Sequence, residues 1–564
     1  MNDPLSAHTT QMERLGWKGE SMLEKGWIHP DLEDFFSSEM NRRDFLKSAG
    51  KVAMFALGFT LFNPLPDIPL QAAPRFSLYP FTLGVASGDP LPDSVVLWTR
   101  LATDPLNGGG YPPYNIPVKW EIAEDERFQR VVQTGTTVAR PELGHSVHVD
   151  VNGLKPGHEY WYRFKSGSEI SPVGRTKTAP SPQSRLTDFT FAFASCQQFE
   201  HGYYTAYRHM AREDLDLVVH LGDYIYEYGP HRYIASGGNI RKHHGRETKT
   251  LADYRNRYAQ YRSDEDLKAA HANFPWLVVW DDHEVQNNYA AQMPERGRGG
   301  KDFLRRRAAA YQAYYEHMPL RRSSLPIGPD MRLYRRFTFG DLVEFNLLDT
   351  RQYRDNQVSN AKWSPPGMRS TAQNRSILGQ KQEQWLMEGL KHSRARWNLL
   401  AQQVFFSQRI WREGNQRLLN MDTWDGYAAS RHRLLQFLAQ EKISNPVVIT
   451  GDVHSNWACD LKTDFGDHRS ETVGVEFVGT SITSGGDGSD TLRSARRMLR
   501  DNPHIRFFNN RRGYVRCRLT RNYCLTDYRV VPYVSRPHAP IATRASFAVE
   551  HGKPGIQTAG TFDR

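Results

Sequence analysis

The chain has 564 residues, 39% hydrophobic and 12% aromatic, with a formal net charge of +11 at pH 7. That length exceeds one ordinary core and predicts two or three domains, while the apolar and aromatic content excludes a disordered chain. Four cysteines are too few for a disulfide framework, and without a long basic block no stable nucleic-acid complex is expected.

The first forty residues are polar. They lead into Asn41-Arg42-Arg43-Asp44-Phe45-Leu46-Lys47, a twin-arginine signal, followed by the apolar run 52–62 and by small residues at 72–73. The run is well short of the roughly 20 residues that cross a bilayer. Residues 1–73 are therefore read as leader and signal peptide. The partner is the twin-arginine translocation machinery, the destination is the periplasm or the exterior, and no transmembrane anchor remains after processing.

Residues 79–180 read as short alternating strands at 94–100, 118–122, 145–151 and 159–164, with Asn152-Gly153 and Pro156-Gly157 as turn residues. This predicts a small β-sandwich similar to a fibronectin type III module. A Thr-Ala-Pro-Ser-Pro linker at 178–182 closes it.

Beyond the linker the rhythm becomes strand–helix–strand. Apolar strands are predicted at 189–194, 215–221, 276–280, 342–348, 397–401 and 446–450, with a helix over 202–213. Such runs are buried on both faces, as in α/β folds. The domain is read as 186–540, leaving 541–564 as a tail. Tyr254, Tyr258 and Tyr261 stand at helical spacing and read as packing. His243-His244 reads as a solvated loop pair. Cys517 and Cys524 leave open a bridge across a short loop.

Chemistry in α/β folds gathers beyond the carboxyl ends of the strands. Those ends deliver Cys196, then Asp223 with Tyr226 three residues later, then Asp281-Asp282-His283-Glu284 with Asn287-Asn288, then Asp452 and His454. One such residue alone is a turn former or a core filler. Several carboxylates at one edge repel each other, and bound cations resolve that repulsion.

Gly222-Asp223-Tyr224-Ile225-Tyr226, Trp280-Asp281-Asp282-His283-Glu284 and Gly451-Asp452-Val453-His454 resemble the motifs of calcineurin-like metallophosphoesterases. More closely, with Gly84 to Pro90 and Gly479 to Gly486, they resemble the PhoD-like alkaline phosphatases/phosphodiesterases. The resemblance implies an α/β metallophosphoesterase sandwich, two β-sheets flanked by helices, behind the N-terminal module. It implies Asp223 as the residue bridging two metals, Tyr226 as a phenolate ligand and Cys196 as a thiolate ligand. Asp282, Asn288, Asp452 and His454 complete the metal set, and His283 is the catalytic histidine. Fe³⁺ and Ca²⁺ are the implied ions, with Mn²⁺, Mg²⁺ or Zn²⁺ as options at the second position. The oxygen-rich second site suits a hard ion, and the phenolate and thiolate suit a strong Lewis acid.

The expected reaction is two-metal hydrolysis of a phosphoester substrate. Alternatives are a metal-dependent hydrolase of another ester class, or a cell-envelope binding protein with a structural metal. Arg307 shares a helical face with Phe303, Leu304, Tyr311 and Tyr314. It reads either as a phosphate fork or as an arginine paired with a structural carboxylate. Arg306 is assigned with Asn287 to substrate binding. Both asparagines read equally as helix-end caps.

Overall fold

A computed structural model of the chain describes residues 76–359, 363–492 and 494–558. The twin-arginine segment and the rest of 1–73 lie outside these residues. No described helix is long and apolar enough to cross a membrane.

Two mixed β-sheets, flanked by helices, form the body. The first has a parallel centre made of Asp188–Ala194, Leu217–His220 and Pro275–Val278. The second has a parallel run of Val343–Leu347, Trp397–Ala401, Pro446–Thr450 and Thr472–Val478. These strands are apolar on both faces because both faces are covered. Between the sheets, Phe189 meets Phe339 at 4.6 Å and Phe191 meets Phe345 at 5.0 Å, ring centre to ring centre.

One strand, Ile505–Thr520, belongs to both sheets. Its first part pairs with Asn456–Lys462, and its second part with Asp188–Ala194. It therefore ties together the edges that carry the two halves of the strand-end cluster. Its centre, Asn509-Asn510-Arg511-Arg512-Gly513, has no apolar alternation, so the usual strand signal is missing there.

Helices Leu251–Arg262 and Lys301–His317 cover the first sheet, where Trp280 stacks on Tyr311 at 4.1 Å. The former starts at a capping box between Thr250 and Asp253, which satisfies free backbone donors of its first turn. Tyr254, Tyr258 and Tyr261 are buried in the same core. Helices Gln380–His392 and Ala428–Gln440 bury Leu386, Leu390, Leu434, Leu435 and Leu438 with Leu400 and Val448 of the second sheet.

Three expectations need correction. The helix expected over 202–213 is only Thr205–Met210. The segment read as a tail from 541 holds two strands, Ala542–Glu550 and Lys553–Thr558, added to the first sheet through Tyr523–Val531. His243 is 1% exposed, not solvated, and its ring bonds the Tyr228 carbonyl and the Tyr261 hydroxyl at 2.9 Å each. The N-terminal module has the two sheets of the expected sandwich. One of its sheets contains Ile116–Ala123, Val131–Ala139 and Glu159–Ser166. The other contains Val85–Leu91, Ser94–Arg100 and Ser146–Asn152, and it continues into the body because Val85–Leu91 runs parallel to Pro275–Val278. Backbone pairing thus joins the module to the body at a point away from the Pro-rich linker.

Cys517 and Cys524 lie on neighbouring paired strands as buried free thiols.

Candidate metal centre

The strand ends of both sheets converge. Two groups of side chains place potential ligand atoms within 4.8 Å of one another: Cys196, Asp223 and His454, and Asp223, Asp282 and His283. Asp223 belongs to both.

The backbone that presents these groups is strained. Cys196, Asp223, Asn288, Asp452 and His454 have φ of 59°, 55°, 51°, 63° and 53°. None is glycine, and each such left-handed residue costs roughly 1–3 kcal/mol. Cys196, Asp223 and His454, three of these strained residues, form the first of the two ligand groups, at sharp strand-to-loop bends. Gly222 makes one bend possible: it has φ 105°, and a Cβ there would sit 2.4 Å from the Asp281 nitrogen. Only glycine lets the Asp223 and Asp281 loops approach so closely.

Asp223 is 1% exposed. Its Oδ2 accepts the Tyr226 hydroxyl at 2.9 Å, and its Oδ1 is buried with no partner. The Tyr226 oxygen also lies 3.2 Å from His454 Nε2 and 2.7 Å from Ser484 Oγ. Ser484 Oγ is 2.7 Å from the Cys196 carbonyl and accepts the Gln198 N–H at 3.1 Å. The glycine- and serine-rich loop at 479–486 thus braces the Cys196 and Tyr226 loops from behind.

Three supporting residues escaped sequence reasoning. Glu284 accepts the backbone N–H groups of Asp223, Tyr224 and Asp281 at 3.1, 2.6 and 2.9 Å. Glu227 holds His283 Nδ1 at 2.7 Å and accepts the Asn287 N–H at 2.7 Å. Arg351 bonds Asp281 at 2.5 Å, approaches Asp282 at 3.5 Å and pairs with Asp422 at 2.9 Å. Glu284 closes one displayed motif and Glu227 directly follows another, but their partners are backbone groups or distant in sequence. Arg351 carries no local signal.

Asp282 Oδ2 accepts the Asn288 N–H at 2.6 Å. The side-chain amides of Asn287 and Asn288 donate to Glu295 at 2.7 and 3.3 Å. The structure does not join Arg306 or Arg307 to the cluster by any contact among the described residues. Arg306 donates to Tyr254 at 3.0 Å and pairs with Glu247 at 3.0 Å. Arg307 donates to the Ala291 carbonyl at 2.6 Å and pairs with Asp330 at 3.1 Å. Protein partners thus take both terminal nitrogens of Arg307, while its Nε is buried without one.

The electrostatics fit cations. Burial, with Asp282, Glu284 and Asp452 nearby, pushes the Asp223 carboxyl well above its usual range, although His283 opposes this. Burial likewise raises the Cys196 thiol, reinforced by Asp223, and the Tyr226 phenol. Asp282 goes the other way: burial is overcome by Arg351 and His283, and its pKa falls to about 2. Burial pushes Glu284 up to about 7 against its backbone bonds. His283 is also buried, yet Glu227, then Asp282 and Asp223, hold its imidazolium well above the ordinary range. Crowded carboxylates, a thiol and a phenol with an orphaned inward oxygen are a donor set that a multivalent cation completes.

Comparison with known proteins agrees with this chemistry. A family model described as PhoD-like phosphatase matches residues 191–528, and one described as its N-terminal domain matches residues 69–180. The chain is 57% identical over 525 residues to alkaline phosphatase D of Bacillus subtilis (strain 168), which covers 93% of this chain and 90% of that protein. A solved structure of PhoD superposes with a TM-score of 0.85 at 58% identity, covering 87% of this chain and 94% of that one.

Proposed function

We propose that this chain, which belongs to the PhoD-like phosphatase family, hydrolyses phosphoesters as a metal-dependent alkaline phosphatase/phosphodiesterase. The observation that carries the reading is Asp223, shared by two ligand groups at converging strand ends, with one buried oxygen left open.

Cys196, Asp223, Tyr226 and His454 would hold the first ion, and their thiol and phenol suit Fe³⁺. Asp223, Asp282, Asn288 and Asp452 would hold the second, and their oxygens suit Ca²⁺. When bound, such ions supply Lewis acidity and charge neutralisation for in-line displacement at phosphorus.

The chain's own groups do the rest. Glu227 fixes Nδ1 of His283 and leaves Nε2 as the ring nitrogen free to meet a substrate. With the ring held by the Glu227 carboxylate, that nitrogen would offer a proton to a phosphoryl oxygen or the departing alkoxide. Arg351 and the Asn288 N–H keep Asp282 ionised and oriented. Glu284 locks the Asp223 and Asp281 loops together.

The twin-arginine segment at 41–47 supports export through the translocation machinery to the periplasm or exterior. The test is hydrolysis of p-nitrophenyl phosphate and bis(p-nitrophenyl) phosphate by protein exported in its native pathway, with metal analysis. The reading expects turnover that disappears with metal removal. Turnover that survives complete chelation overturns it.

A further inference from the structure

Arg409 has no role in the site described above. It is 6% exposed, in the loop that follows Trp397–Ala401. Its backbone N–H donates to Asp425 at 3.0 Å. Among the described residues its guanidinium makes no hydrogen bond and no ion pair, and its Nε is buried without a partner. It lies instead over three rings, those of Phe405, Trp363 and Trp457, at 4.5, 5.3 and 5.6 Å.

The surrounding carboxylates do not explain it. Asp425 is bonded by Arg431 at 2.7 Å. Glu476 accepts the N–H groups of Phe406 and Ser407 and the Thr450 hydroxyl, each at 2.8 Å. Its rings place it beside the metal cluster: Phe405 and Trp457 pack together with Val453, which stands between Asp452 and His454 just beyond the strand Pro446–Thr450. A buried guanidinium is costly unless its donors find an acceptor. Aromatic faces hold its plane and leave its N–H edge as the unfilled side. A rigid, planar fork beside an oxygen-rich metal site matches a tetrahedral oxyanion.

We propose that Arg409 is a substrate-binding residue whose guanidinium takes the non-bridging oxygens of a phosphoryl group on the Asp452 side of the cluster. The proposal rests on the phosphoesterase reading. The phosphoryl group is either the scissile one or a second one on the leaving portion of the substrate. In either case the rings of Phe405, Trp363 and Trp457 are the packing that keeps the fork in place.

The test uses the metal-loaded protein and its Arg409→Gln and Arg409→Lys variants. KM is measured for bis(p-nitrophenyl) phosphate and for an alkyl bisphosphate monoester, together with the inhibition constant for inorganic phosphate. Loss of a charge-assisted fork raises these constants by roughly ten- to a hundredfold in Arg409→Gln. Arg409→Lys, which keeps charge and stem but not the fork, recovers part of the loss. A change for every substrate and for phosphate assigns Arg409 to the scissile group, and a change confined to the bisphosphate assigns it to the second group. Unchanged constants in both variants, with or without a lower melting temperature, overturn the proposal. If Arg409→Gln fails to fold, Arg409→Lys alone carries the test, and wild-type constants in it overturn the proposal. Absence of all phosphoesterase activity in the wild type is the separate failure of the underlying reading.

Discussion

Glu227 Oε2 holds His283 Nδ1 at 2.7 Å, both side chains buried. The pair fixes the ring orientation, and Glu227 favours the imidazolium form. In metal-free protein a histidine with a raised folded pKa contributes stability that is fully present below its unfolded value, about 6.5, and is lost as pH rises through the folded value. Glu227→Gln removes the largest stabilising charge. Its melting-temperature deficit against wild type is therefore greatest in acid and neutral solution and shrinks on the alkaline side. A deficit constant from about pH 5 to about pH 10 would contradict this linkage.

Glu284 is predicted to be the structural clamp of the centre. Glu284→Ala leaves the N–H groups of Asp223, Tyr224 and Asp281 without their acceptor. Each buried orphan costs about 1–3 kcal/mol, so denaturant unfolding should show a loss on the order of 3 kcal/mol or more, with weakened metal retention. A variant as stable as wild type, with its full metal content, speaks against the clamp.

Tyr226 should give the first ion its colour. The wild-type protein carrying Fe³⁺ on a phenolate is expected to absorb visible light, and Tyr226→Phe to lose the band along with roughly tenfold or more of its activity. An iron-loaded Tyr226→Phe protein with the wild-type spectrum rules out the phenolate ligand.

The N-terminal module should not be removable. Val85–Leu91 pairs with Pro275–Val278, the strand that leads into Asp281-Asp282-His283, so a chain lacking residues 79–180 exposes a sheet edge and is expected to aggregate. Gly88→Val is a milder test. A Cβ at Gly88 would lie 2.5 Å from the Pro319 carbonyl oxygen, and overpacking there should cost about 1–3 kcal/mol in thermal or denaturant unfolding. Soluble, active protein without the module would show that the shared sheet is dispensable.

Much of this architecture is legible in the residues. Apolar runs bounded by Cys196, Asp223, Asp281-Asp282-His283 and Asp452 mark strand ends because burial on both faces demands apolar residues until the chain leaves the sheet. The bends themselves are not legible. Left-handed conformations at Cys196, Asp223, Asp452 and His454 fall on residues with no glycine-like freedom, and only surrounding contacts impose them. The long strand Ile505–Thr520 is hidden for a related reason, since its middle crosses between two sheets and carries Asn and Arg rather than an alternating pattern. Arg307 shows a limit of the pattern: an arginine in an apolar stripe states a need for a partner without saying which, and here Ala291 and Asp330 take its two terminal nitrogens while its Nε stays without a partner. Arg351 acts across 70 positions of sequence on Asp281, a pairing that only the folded chain creates.

The central claim is that Asp223 joins two metal positions into one phosphoester-hydrolysing centre. The direct measurement is metal content per chain, with hydrolysis of bis(p-nitrophenyl) phosphate, for wild type and Asp223→Ala exported in the native pathway. The account predicts that Asp223→Ala, still folded, loses both ions and its activity together. An Asp223→Ala protein that keeps the wild-type metal content and turnover would contradict it.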